Sequence, residues 1–444
     1  MERQTPMMEQ YHRIKKEHAD SILLFRLGDF YEMFEDDALA ASAILGITLT
    51  SRNGVPMCGF PYHASDSYIA RLVKEGKKVA ICEQREDPAS ARGIVRREVT
   101  EIVSPGIIID PSLLKNGSNN CIAAVWSGGS AKMPALTLAS LDVSTGEFTS
   151  KRFDESDLVD SFLNEVEENG VSEIVYPQSF AENADFARFI EKVKLLKSAL
   201  FFRPVPDSLF GRREAAEALK RQFSVADESM LDLRDEDSLV ACGALISYVK
   251  ENVKQGISHV RWVREKGPSD VLVIDNATRK HLELTRSQAD GGEGATLLSV
   301  LDRTSTAMGA RLLRRLVNAP SRDLGSIRAR LEKIDFFVRN AAALENARRS
   351  LSRVLDLERL LSRLAVGKGG PRDLVAVKKS LEAAAAIKRD LGGAAEFSAE
   401  TDGIDDFSAL VGEIGSSIVD DPPASAREGG IVRRGYDRRL DELR

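Results

Sequence analysis

The sequence predicts a multidomain chain of α/β + α class, and three observations carry that reading. Short apolar runs of strand length alternate with helical segments as far as about residue 250. Beyond Trp262 the texture turns helical, with leucines and valines at helical spacing inside densely charged stretches. The 444 residues correspond to about three domains of ordinary size. The divisions fall at residues 1–112, 120–250 and 262–444, with a turn-rich linker over 111–120.

In the first division, Thr5 followed by Pro6 reads as a cap and a first-turn proline opening a helix through about Glu17. Ile22-Leu23-Leu24-Phe25 reads as a buried strand. Asp36 and Asp37 precede a short helix that Gly46 stops. Residues 47–50 are predicted as a strand and 54–61 as a turn-rich loop. A helix capped by Ser65 or Asp66 runs to Glu75, with Gly76 just past its end, and residues 78–82 and 95–103 read as strands. The sum is a small mixed α/β domain.

The stretch Gly28-Asp29-Phe30-Tyr31-Glu32-Met33-Phe34 follows the first strand. If it stays extended, Phe30 and Glu32 leave on one side, roughly 6–7 Å apart, while Tyr31 and Met33 face back into the domain. An aromatic plate beside a carboxylate suits a flat base that is stacked upon and hydrogen-bonded at its edge. Read alone, the stretch fits better with Phe30 and Phe34 as core residues and Glu32 solvated.

In the second division, Ile122-Ala123-Ala124-Val125 and Leu136-Thr137-Leu138-Ala139-Ser140-Leu141 are apolar runs, and a hairpin turn is expected around Gly146. A helix near residues 157–168 leads to Ile174-Val175-Tyr176, with helices on to about Lys250. In the third, Gly291-Gly292-Glu293-Gly294 reads as a flexible loop, and long charged helices are expected over 327–391 with solvated charged faces.

Composition narrows the function. A net charge of −6, and 14 basic against 17 acidic residues in 1–110, exclude a protein that holds nucleic acid by charge alone. They are compatible with stacking and bending of a duplex. Cys58, Cys82, Cys121 and Cys242 are far apart and read as buried reduced thiols. The five histidines form no ligand pattern, so no metal site is expected. No apolar run is long enough to span a membrane, and residues 1–5 lack the apolar core of a signal peptide. A cytoplasmic location is expected.

Further residues carry a resemblance. The Phe30-Tyr31-Glu32 stretch is followed by Ile47-Thr48-Leu49-Thr50-Ser51-Arg52, Val55-Pro56-Met57-Cys58-Gly59-Phe60-Pro61-Tyr62-His63-Ala64, Val79-Ala80-Ile81-Cys82-Glu83-Gln84 and Val103-Ser104-Pro105-Gly106. Later come Ser299-Val300-Leu301-Asp302-Arg303-Thr304 and Arg427-Glu428-Gly429-Gly430-Ile431-Val432. Segments of this specificity in this order resemble the MutS family of mismatch-recognition proteins. The resemblance implies a mismatch-recognition domain, a ribonuclease-H-like connector and a mainly helical core or lever domain. It implies that Phe30 stacks on a mispaired base in the minor groove of kinked duplex DNA and that Glu32 hydrogen-bonds to it. Arg52 and Arg97 are the candidates for phosphate contacts. Mismatched duplex DNA, a MutL-like partner at the connector and, for the full-length family, a homodimer are the implied partners.

The family is also a DNA-dependent ATPase, but a phosphate loop needs Gly-x-x-x-x-Gly-Lys followed by Ser or Thr. Gly76-Lys77 and Gly367-Lys368 are followed by Lys78 and Gly369. ATP and magnesium are therefore expected only in a region beyond these residues, with no catalytic residue or cofactor here and a monomeric chain. Two alternatives remain open at this point. One is a protein-interaction scaffold without DNA binding. The other is a nuclease, for which Asp142 at a strand end would be the first of several metal-binding carboxylates, although Asp142 reads first as a turn residue and no third or fourth carboxylate partner stands out.

Overall fold

The computed structural model describes residues 5–86, 95–128, 135–153, 158–267, 271–423 and 428–444. The Thr5 hydroxyl accepts from the Met8 amide and opens helix α1 (Pro6–Glu17), with the boundaries the cap signals predict. Strand β1 (Ile22–Leu27) is followed, across the two-residue turn Gly28-Asp29, by β2 (Phe30–Phe34). Helix α2 (Glu35–Leu45) ends at Gly46, whose φ of 62° is left-handed. Then come β3 (Thr50–Arg52), β4 (Val55–Pro61), α3 (Ser65–Lys74), β5 (Val79–Gln84) and β6 (Arg97–Val103).

These strands form one sheet in the order β3-β4-β2-β1-β5-β6. Strand alternation divides its apolar residues between two layers. Leu24, Tyr31, Met33, Cys58 and Phe60 cluster with residues of α2 and α3, whereas Leu23, Phe25, Phe34 and Cys82 cluster with Tyr11 and Ile14 of α1. Buried Asp37 ties α1 down by accepting from Lys15 Nζ at 2.8 Å, the Tyr11 hydroxyl at 3.3 Å and the Leu23 amide at 3.0 Å.

Two expectations change here. The strand expected at 47–50 is confined to Thr50–Arg52, and the loop expected over 54–61 is strand β4, paired along β2 from Met57 to Pro61. Pro56 and Pro61 suggested turns, but they occupy the second and last positions of the strand, where a missing donor is tolerated. Gly59 lies opposite Glu32, where a Cβ would stand 2.7 Å from the Tyr31 carbonyl oxygen. Its role is close backbone approach rather than a turn.

The second sheet is built from β7 (Cys121–Trp126), β8 (Leu136–Leu141) and β9 (Phe148–Phe153), then α4 (Leu158–Asn169), β10 (Val171–Pro177), α5 (Ala184–Leu196) and β11 (Phe201–Val205). Helices α6 (Arg212–Phe223) and α7 (Glu236–Asn252) follow, and β12 (Arg264–Glu265) returns beside β9. The order is β11-β10-β7-β8-β9-β12, with β7, β8 and β9 antiparallel and β10 and β11 parallel to β7. This is the mixed ribonuclease-H-like arrangement the resemblance implies. Gly146, at a φ of 82°, turns the chain between β8 and β9 as expected.

The remainder is mainly helical: α8 (Asn276–His281), α9 (Leu297–Leu301), α10 (Ala307–Asn318), α11 (Leu324–Arg339), α12 (Ala341–Leu351), α13 (Leu357–Ala365) and α14 (Pro371–Leu391), with shorter helices after it. The charged stretch over 327–391 is thus broken into separate helices. Arg311 of α10 grips the start of α13, with bonds of 2.7 Å to each Asp356 oxygen and 2.6 Å to Glu358. Arg427 lies outside the described residues. Among the described residues no helix is long and apolar enough to cross a membrane.

Two buried charges join the parts. Glu173 on β10 is wholly buried and accepts from the Ser104 hydroxyl, from the Gly106 amide at 3.0 Å and from Arg203 Nε at 2.8 Å. Arg359 on α13 is 2% exposed and donates to the carbonyls of Lys115 (3.2 Å) and Ser118 (2.8 Å) in the linker. The first sheet, the linker and the helical part are thereby held to the connector by charge-assisted hydrogen bonds.

Candidate nucleic-acid interface

Phe30, Glu32 and Phe34 share one face of β2, and α1 decides which of them is covered. Phe34 is 1% exposed, with the Tyr11 ring edge-on at 5.0 Å. Phe30, at the turn end of the strand, is 45% exposed. The sequence could not separate these two aromatics, and the placement of α1 does. Tyr31 and Met33 face inward, at 5% and 0% exposure.

Glu32 lies between the two. Its neighbour on β4 is Gly59, which puts no side chain on that side of it. A recess of about 550 Å³ opens there, lined by Phe30, Glu32, Thr48, Thr50, Met57 and Gly59 among others. Glu32 Oε2 is shielded from solvent yet has no hydrogen-bond partner among the described residues. Partial burial pushes the Glu32 carboxyl above the usual carboxylate range, and the charge of Arg52 restrains the rise. Arg52 is exposed on β3. An acceptor held half-desolvated beside an exposed ring can take an N–H from a flat heterocycle whose face stacks on the ring.

The raised Glu32 value has a signed consequence. Folding favours its protonated form, so its stabilising contribution is present below the unfolded carboxylate value and lost as pH rises through the folded one. Glu32→Gln is therefore expected to raise the melting temperature at pH 7 by about 1–2 °C, with the difference vanishing near pH 4. Thermal unfolding followed by circular dichroism at the two pH values measures this.

Arg97 sits elsewhere. It is 7% exposed, and its guanidinium donates to the Arg26 carbonyl (2.6 Å), the Val95 carbonyl (2.9 Å) and Gln10 Oε1 (3.2 Å), over the Phe25 ring. It braces the sheet against α1 and is not turned toward a phosphate, a correction to the expectation that paired it with Arg52. Its position opposite Gln84, next to the Phe25 layer, gives the reason: strand parity sends it inward.

Asp142 takes the role of a turn residue that its position suggested. It is wholly buried, and its oxygens accept from the Asn120 amide (3.1 Å), the Ser144 amide (2.9 Å) and the Ser144 hydroxyl (2.7 Å). It is a turn-forming residue. Glu147 is drawn away to Arg315 at 2.8 Å and Asn119 at 3.3 Å. Among the described residues no three His, Cys, Asp or Glu side chains gather as metal ligands would. Among the described residues the nuclease reading has no donor set.

These parts define a protein in which a small mixed domain displays an aromatic–carboxylate pair and is joined to a ribonuclease-H-like unit and a set of helices. Comparison with known proteins finds that residues 5–112 match MutS domain I, 120–261 match MutS domain II and 277–443 match MutS domain III. The chain belongs to the MutS family. It is 38% identical, over 100% of its length, to the DNA mismatch repair protein MutS of Methanothrix thermoacetophila. The proteins of that name from Pelotomaculum thermopropionicum and Symbiobacterium thermophilum are 38% and 39% identical over 99% of this chain. The chain spans about half, 50%, of the length of each of these curated relatives.

Proposed function

We propose that this chain takes part in DNA mismatch repair by recognising mispaired or unpaired bases in duplex DNA. Phe30 enters from the minor groove and stacks on the faulty base, and Glu32 accepts a hydrogen bond from its edge. The observation that carries this reading is the unpartnered, half-buried Glu32 Oε2 beside the exposed Phe30 ring. Leaving a buried acceptor unpaired costs about 1–3 kcal/mol, and a base N–H would restore that loss on binding. A fully paired duplex engages the N–H groups of its Watson–Crick edges in base pairing, and in the minor groove leaves only the guanine N2 amino group as a donor.

The physics of the duplex works in the same direction. Unstacking a base costs a few kcal/mol, and least where pairing is already faulty. Kinking follows the same order, so discrimination comes from deformability more than from a base code. A carboxylate near phosphates is repelled, which makes Glu32 a penalty on matched duplex and a gain only where a base edge meets it. Arg52, exposed on β3, offsets one flanking phosphate. The connector then offers a surface for a MutL-like partner, and pairing of two full-length chains would close the protein around DNA and raise the effective concentration of each weak contact.

The test is a titration of the chain against a labelled duplex with one unpaired thymidine and against its fully paired counterpart, read by fluorescence anisotropy. Weak binding with tighter association to the faulty duplex, by about 5-fold or more, is expected from one stacking contact. Equal affinity for the two duplexes removes the reading.

A further inference from the structure

The turn that presents Phe30 is only two residues long. Gly28 adopts a φ of 57°, and no atom lies within 4 Å of where its Cβ would stand. Pairing of Phe30 with Leu27 on β1 and with Pro61 on β4 sets its register. Further ties reach the open tip from the flanks. Arg26 Nε donates to the Gly28 carbonyl at 2.5 Å, and its guanidinium carbon lies 3.5 Å from the centroid of the Tyr62 ring. The same guanidinium is 3.8 Å from the Glu83 carboxylate, which accepts from the Tyr31 hydroxyl. The Arg26 carbonyl accepts from Arg97, and the Tyr62 amide donates to the Asp29 carbonyl at 3.0 Å. Both turn carbonyls are thus tied to neighbouring chain segments. Although it adjoins the tip, the Arg26 side chain is only 15% exposed.

We propose that Arg26 and Tyr62 are positioning residues: a guanidinium–aromatic clamp that holds the Gly28-Asp29 turn, and through it Phe30, in the inserting direction before DNA arrives. The inference rests on the reading of Phe30 as the stacking group. A group ordered in advance loses no freedom on binding, and a ring that must part stacked bases works only from a stiff base. Fully paired DNA gives no insertion site, so the clamp strengthens the mismatched complex alone. The planar fork of arginine supplies both the carbonyl bond and the ring contact, and lysine supplies neither geometry.

The test compares Arg26→Lys, Tyr62→Leu, Tyr62→Phe and Phe30→Ala in the full chain, titrated against the two duplexes at several salt concentrations. Arg26→Lys and Tyr62→Leu are each expected to lower the mismatched-to-matched affinity ratio by about 2- to 5-fold. Tyr62→Phe keeps the ring and the ratio. Matched-duplex affinity and the salt slope stay as they are in the parent chain. If Arg26 instead serves only as a phosphate contact, Arg26→Lys keeps that charge and leaves the mismatched-to-matched ratio and the salt slope unchanged, and the clamp is overturned. An unchanged ratio in Tyr62→Leu, with Phe30→Ala abolishing it, overturns the clamp and leaves the stacking role of Phe30 standing. A ratio that survives Phe30→Ala overturns both. Tyr62 is 42% exposed, so Tyr62→Leu decides the matter even if the arginine variant does not fold.

Discussion

Phe30→Ala is expected to abolish the preference for mismatched duplex while leaving the fold intact. The ring is 45% exposed and stands outside the cluster that holds Phe25 and Phe34, so its loss opens no core cavity. Base–aromatic stacking is worth about 1–3 kcal/mol per base, which corresponds to a drop of about 5- to 150-fold in the mismatched-to-matched ratio. Affinity for matched duplex should scarcely change. Circular dichroism reports the fold, and anisotropy titrations with both duplexes report the ratio. A variant that folds and still discriminates would remove Phe30 from the interface.

Glu173→Ala is expected to have the largest effect on stability. The carboxylate is wholly buried on β10 and holds three groups at once: Ser104 and Gly106 from the end of the first domain, and Arg203 on β11. Its removal strands the Arg203 guanidinium, whose side chain is 20% exposed, without its buried partner. Breaking a buried pair from one side costs about 3–5 kcal/mol. Gly106 leaves no slack for repair, since a Cβ there would lie 2.7 Å from that of Ile122 and 2.9 Å from that of Glu173. Urea unfolding followed by circular dichroism should show an early transition of the first domain, separated from the connector. A single transition with an unchanged midpoint would show that Glu173 is not the tie between them.

What the sequence revealed and what it hid divide along a physical line. Thr5-Pro6, Gly46 and Gly146 act through their own backbone neighbours, and the elements they bound lie where the local rules put them. The inward turn of Tyr31 and Met33 follows from period-two alternation alone. Strand β4 was hidden because Pro56, Gly59 and Pro61 imitate a loop, and only pairing with β2 reveals why a glycine must face Glu32. Arg97 read as a surface charge because its partners, Gln10 and the Arg26 carbonyl, are distant in sequence. Tyr62 carried no local signal of its contact with Arg26. Glu173 did carry one. An acidic residue inside the apolar run Val171-Ser172-Glu173-Ile174-Val175 is a buried charge in search of partners.

Emission from 2-aminopurine placed beside a single unpaired thymidine tests the central claim most directly, because it reports stacking at the base itself. An inserted ring parts the bases and frees the probe. Titration with the parent chain should raise the emission on the faulty duplex and leave the fully paired duplex unchanged, and Phe30→Ala should bind without the rise. An equal rise with Phe30→Ala, or an equal rise on the fully paired duplex, would contradict base recognition by Phe30.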